Sequence, residues 1–268
     1  MRTKKAIGIC LLISIAGGLI SALLRTVALL TNYNVVSGHF DLGSAETTVN
    51  IGWTVAIITC VAVCAICFTL YKRLVRFERV AGKTAYIIGA TALVFTILVT
   101  MFEALSEKTM PDSVERTLNL AIAFFGGISC ATVFANAFVP SGKVNLMRAT
   151  VSLAPAMFVV IPGYRSYFDA ELIMNCPNKT VYIIAACAAA LMIISECRFF
   201  CPKPTPMTFV ASACATVVLG LFCGIPNVVY FIVKGTPLLT GFGADFAILG
   251  FAVFAVTQLC SMHHKTEK

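Results

Sequence analysis

KRLVRFERVAGK, residues 72–83, is the stretch from which the fold is read. It holds five of the chain's twenty lysines and arginines and one acid, Glu78. An uncharged apolar run, Val49 to Tyr71, precedes it, and another, Thr84 to Phe102, follows it. A basic turn between two segments of membrane length is what the positive-inside rule assigns to the cytoplasm. Lys72, Arg73, Arg76, Arg79 and Lys83 are therefore read as topology-setting residues in contact with lipid headgroups.

Composition agrees. Hydrophobic residues are 59% of the 268 and charged residues 12%, where a soluble domain has about 45–50% and about 25%. The net charge of +8 is not a nucleic-acid signal, because the cations gather at segment ends. The reading is one transmembrane domain over residues 1–268, an all-α polytopic helical bundle in the cell (cytoplasmic or plasma) membrane. Eight spans are expected, near residues 6–30, 49–71, 84–105, 117–139, 149–168, 180–200, 207–232 and 241–262. Runs of about 20 apolar residues without alternation suit helices, not barrel strands.

The first apolar run is longer than a signal-peptide core of about 7–15 residues, so it is read as an uncleaved span. Fourteen of the twenty lysines and arginines then fall on the inner side, with both termini cytoplasmic. Span five is the weak member. Its apolar part, Ala149 to Gly163, would make about 22 Å of helix against a hydrocarbon core of about 30 Å. A re-entrant segment, and seven spans, is the other reading. A four-plus-four repeat is conceivable, echoed only by Arg25 and Arg165 near the ends of spans one and five.

Three features bear on function. First, Arg25, Glu103, Arg165 and Asp245 all fall near the outer boundary. They can be anchors that snorkel to the interface, or they can converge on an outward-facing polar vestibule. Two arginines with Tyr164 nearby would suit a small anionic solute. On that reading Arg25→Leu or Arg165→Leu weakens ligand binding and leaves expression near normal. Second, Pro155, Pro162–Gly163 and Gly224–Asn227 interrupt spans five and seven, and Asn227 is the polar side chain at such a break. Broken helices expose backbone groups that bind solutes in transporters. Third, Cys60, Cys64 and Cys67 follow a helical spacing, which is read as packing and not as a metal site, since span two offers no histidine or carboxylate. No metal and no cofactor is expected.

Catalytic signatures are missing. Gly241–Asp245 (GFGAD) has one residue too many for an intramembrane aspartyl protease motif. The Asn178-Lys179-Thr180 sequon abuts span six and carries little weight. These absences lean against an enzyme without closing the question. The expectation is a small-solute binding or transport component in the lipid bilayer. The alternative is a non-transporting scaffold, sensor or assembly partner whose basic loop meets a protein at the cytoplasmic face.

Overall fold

The computed structural model describes residues 2–34, 38–40, 43–70, 74, 77–79, 84–106, 113–138, 145–168, 176–202, 205–238 and 241–264. The described chain is almost wholly helical, as a sequence must be when its backbone amides have no water to bond. The helices are α1 (Arg2–Asn32), α2 (Ser44–Thr69), α3 (Thr84–Ser106), α4 (Ser113–Phe138), α5 (Leu146–Val151), α6 (Ala154–Phe168), α7 (Pro177–Cys197), α8 (Pro206–Lys234) and α9 (Phe242–Ser261). Eight spans are long and apolar enough to cross a membrane, one of them formed by α5 and α6 together.

Local chemistry sets several ends. Pro177 and Pro206 open α7 and α8, where a missing N–H costs nothing. Asn145 caps α5 by accepting the Arg148 amide at 3.0 Å. Gly235, at φ 74°, closes α8 in the left-handed conformation and returns its N–H to Phe231 O at 2.8 Å.

Span five is not short. α5 and α6 join through a turn at Ser152–Leu153, and the apolar span Leu146–Ser166 has 21 residues, about 31 Å of rise. Pro155 sits in the first turn of α6, where proline is tolerated, so it starts a helix instead of interrupting one. The Gly224–Asn227 stretch does not break span seven either. α8 runs continuously through it with Pro226 inside.

Two small antiparallel pairs complete the fold. β1 (Tyr33–Asn34) pairs with β2 (His39–Phe40) in the α1–α2 connection. β3 (Phe77–Arg79), from the basic stretch, pairs with β4 (Met262–His264) beyond α9, with Arg79 opposite Met262. Of the topology residues, Lys72, Arg73, Arg76 and Lys83 lie outside the described residues, and Arg79 is described by its backbone only. The bundle therefore has a proximal end, where α1 begins and α9 finishes, and a hairpin end, where β1 and β2 lie.

α8 and α9 are the centre. More than half of the apolar window of each is buried, against 28% for α2 and α4. α8 packs on α1, α2, α7 and α9, while α3 lies along α9. Close approach is made by glycine: a Cβ on Gly17 would collide with Thr59 of α2, and one on Gly126 with Met101 of α3. The pairings do not follow a four-plus-four repeat. α1 rests on α8, but its counterpart α6 rests on α4 and α7 instead of α3. Large apolar side chains such as Leu12, Val61, Phe68 and Phe102 are exposed on the rim, the face a bilayer would cover.

Candidate functional site

Pro226 has no amide hydrogen, so the Phe222 carbonyl four residues earlier loses its helical donor. In an apolar bundle that oxygen must find another. It finds Arg25, whose Nη1 donates to Phe222 O at 2.8 Å and to Cys223 O at 3.1 Å. Nη2 donates to Asn178 Oδ1 at 2.7 Å and to Asn227 Oδ1 at 2.8 Å. The guanidinium also lies 5.4 Å from the centre of the Phe222 ring. Asn227 then passes the connection on, with Nδ2 donating to Asp245 Oδ1 at 2.6 Å. Four helices, α1, α7, α8 and α9, thus meet in one polar network.

The network is sealed. Arg25, Asn178, Asn227 and Asp245 are each 2% exposed or less. This differs from an open outward-facing vestibule, and Arg25 does not snorkel. Its side chain turns inward because the proline-freed carbonyl lies there. All four Nη hydrogens are bound, and every acceptor is neutral. The carboxylate of Asp245 is reached only through the Asn227 amide.

Above the network at the hairpin end lies an aromatic lid. The Tyr33 ring meets Phe40 at 5.3 Å and Tyr230 at 5.9 Å between centroids. Its hydroxyl is 3.6 Å from Cys176 Sγ, and that thiol donates to Gly38 O at 3.4 Å. Burial first, and then the Cys176 contact, raise the Tyr33 pKa above its ordinary value, so the hydroxyl stays protonated.

Glu103 has a different part. Its Oε1 accepts the Phe242 amide at 2.9 Å and its Oε2 the Gly243 amide at 2.6 Å. Gly241 caps α9 without a side chain of its own, so Glu103 of α3 supplies the cap from a neighbouring helix. A Cβ at Gly241 or Gly243 would press on that carboxylate, which is why the GFG sequence stands there.

Arg165 is buried and lines a cleft with Glu103, Thr100, Pro162, Gly241 and Ala244. The cleft measures about 10 Å³, room for about one water molecule. Tyr164, by contrast, is 54% exposed on the bundle surface. Of the six residues read from the sequence, Arg25, Asn227 and Asp245 come together, Glu103 and Arg165 share the adjoining cleft, and Tyr164 stands apart.

Sequence reasoning missed Asn178 and Lys179, both buried in the first turn of α7. Asn178 was visible only as the acceptor of a sequon. Held at 0% exposure on Arg25, it offers no folded site for glycosylation. The signal that could have found the network is the proline: a carbonyl four residues before Pro226 needs a donor, and Arg25 is a cation inside an apolar run.

A second polar set lies toward the proximal end. Tyr86 Oη donates to Glu196 Oε1 at 2.8 Å and Gln258 Nε2 donates to the same oxygen at 3.2 Å, linking α3, α7 and α9. All three are 5% exposed or less. The cysteines of α2 differ in burial: Cys67 is buried, Cys60 half-buried and Cys64 exposed. No protein-family model, curated protein or solved structure matches this chain.

Proposed function

We propose that this chain is a multi-pass membrane protein with both termini in the cytoplasm, and that it binds a small solute carrying an anionic group as a transport component. The observation that carries the reading is a fully buried guanidinium whose partners are all neutral. Buried charge is costly in a membrane, and where it persists it usually marks a solute or ion path. A solute carboxylate or phosphate would replace two neutral amide oxygens with a charged, bidentate partner. The Arg165–Glu103 cleft adjoins α9 next to Asp245 and is the natural approach from the hairpin end. In the arrangement described the site is closed, so loading requires the hairpin end to open. Pro226 gives α8 a point at which to bend.

The positive bias of the basic stretch and of α1's opening turn supports the orientation. Changing Arg73, Arg76 and Arg79 to Gln is expected to give mixed orientation in a reporter-fusion assay.

The test of binding is thermal unfolding of the detergent-purified protein with amino acids, organic acids, nucleosides, vitamins and metal ions. A ligand present at about 100 times its Kd stabilises by about 2.7 kcal/mol. Hits should gather among anionic solutes and should disappear in Arg25→Lys, which keeps charge but loses the planar fork. Silence across the panel overturns the reading and favours the docking alternative. In that alternative the β3–β4 pair, which joins the basic stretch to the segment after α9, presents a surface to a partner.

A further inference from the structure

A groove opens between α1 and α9 at the proximal end, on the opposite side of the bundle's length from the arginine network. It is lined by Ile7, Gly8, Leu11, Leu259, Cys260 and Met262 and has a volume of about 240 Å³. That exceeds the apolar cavities of about 150 Å³ that hold a benzene molecule. α1 and α9 hardly touch along their length, while both pack on α8, so the groove is a gap left between two helices that share a neighbour. A Cβ at Gly8 would meet nothing within 4 Å, so glycine keeps this gap open without being needed for helix packing.

The helix start beside the groove has a basic sequence. α1 carries Arg2, Lys4 and Lys5 in its opening turns, and Lys5 is exposed. Position 4 precedes Ile7, Gly8 and Leu11 by three, four and seven residues, which is one helical face. An apolar slot beside a basic helix start has the chemistry of an acyl chain ending in a negative headgroup, the pattern of basic pockets between membrane helices.

We propose that this groove holds one acyl chain of an anionic phospholipid, whose phosphate the basic opening of α1 meets. The lipid belongs to the leaflet that the proximal end faces, and it wedges α1 against α9. This site is independent of the solute reading: it uses none of the same residues.

The test is lipid retention by the full-length protein. Delipidated protein is titrated with phosphatidylglycerol or phosphatidylcholine of matched chains, and bound lipid is counted by native mass spectrometry. One phosphatidylglycerol should remain, preferred at least tenfold over phosphatidylcholine. Gly8→Leu fills the slot and Leu11→Gln places an amide in it; each should lose the retained lipid whatever its headgroup, and two variants guard against one misfolding. The pair Lys4→Gln and Lys5→Gln should keep chain binding and lose the preference, about fivefold per cation. Glycerol phosphate, a headgroup without chains, should not displace the lipid. Equal retention by both groove variants, no headgroup preference in the parent, or displacement by glycerol phosphate would each overturn the proposal.

Discussion

α8 and α6 each carry a proline inside the helix, and the side chains that bond the backbone near the two differ. Pro226 of α8 leaves the Phe222 carbonyl to a cation, Arg25, which spends two further donors on Asn178 and Asn227. Near Pro162 of α6 the side-chain donor is neutral: Tyr182 Oη, from α7, bonds Val159 O at 3.1 Å, one residue past the Phe158 carbonyl that Pro162 frees. A single neutral donor can bond one carbonyl without bringing charge. The arginine at α8 is therefore more than one freed carbonyl needs. That excess, a buried charge whose neutral partners lie on α7 and α8, separates a candidate site from a proline alone.

The largest effect is expected from Arg25→Leu. It strips two carbonyls and two amide oxygens of their donor and leaves Asp245 without the nearby cation. The loss should be about 3–5 kcal/mol, the cost of removing one member of a buried charged set. Expression near the parent level, the outcome expected while Arg25 is taken for a boundary residue, is not what this network implies. Equilibrium unfolding in mixed micelles reads the difference directly. A loss below about 1 kcal/mol would show that the network contributes little and that α8 and α6 are alike after all.

The comparison sharpens in a Pro226→Ala background. Alanine restores an amide to Phe222 O, so Arg25 no longer has that carbonyl to itself. Arg25→Leu should then cost about 1 kcal/mol less than in the parent, the worth of one hydrogen bond. The same double-mutant cycle made with Pro162→Ala, which is far from Arg25 in the packing order, should show no coupling beyond about 0.5 kcal/mol.

How much of this was legible beforehand depends on whether a feature is local. The eight apolar stretches are local, and hydropathy alone reports them. The length of the fifth was less legible, because its helix begins at Leu146, among residues polar enough to look like a turn. That Arg25, Asn227 and Asp245 stand out from apolar runs was legible; that they meet inside the bundle instead of at an open vestibule was not. Their partners were not. Asn178 and Glu103 act across helices 153 and about 140 residues away in sequence, and no spacing rule reports that. The proline was read as a break because proline removes a bond; that a side chain from α1 would replace the bond is a fact of packing.

Glu103 gives a smaller effect, of a kind that distinguishes a cap from a ligand-binding acid. Its two oxygens hold the first amides of α9, a helix whose own first residues are glycine-rich and cannot cap themselves. Glu103→Gln keeps one acceptor oxygen and loses the charge that complements the helix dipole, so it should cost about 0.5–1 kcal/mol. Glu103→Ala loses both bonds and should cost about 1–2 kcal/mol, within the range of removed helix caps.

Tyr182→Phe is the smallest change and the cleanest check on α6. It deletes one hydroxyl and leaves Val159 O without that donor, for about 1 kcal/mol. Tyr182→Phe removes a neutral donor, so it should leave any solute-induced stabilisation intact while lowering the unfolding midpoint of the free protein. If Tyr182→Phe abolished solute stabilisation as thoroughly as Arg25→Lys, the proline of α6 would belong to the site as well. The site would then lie between the two proline-bearing helices, not at α8 alone.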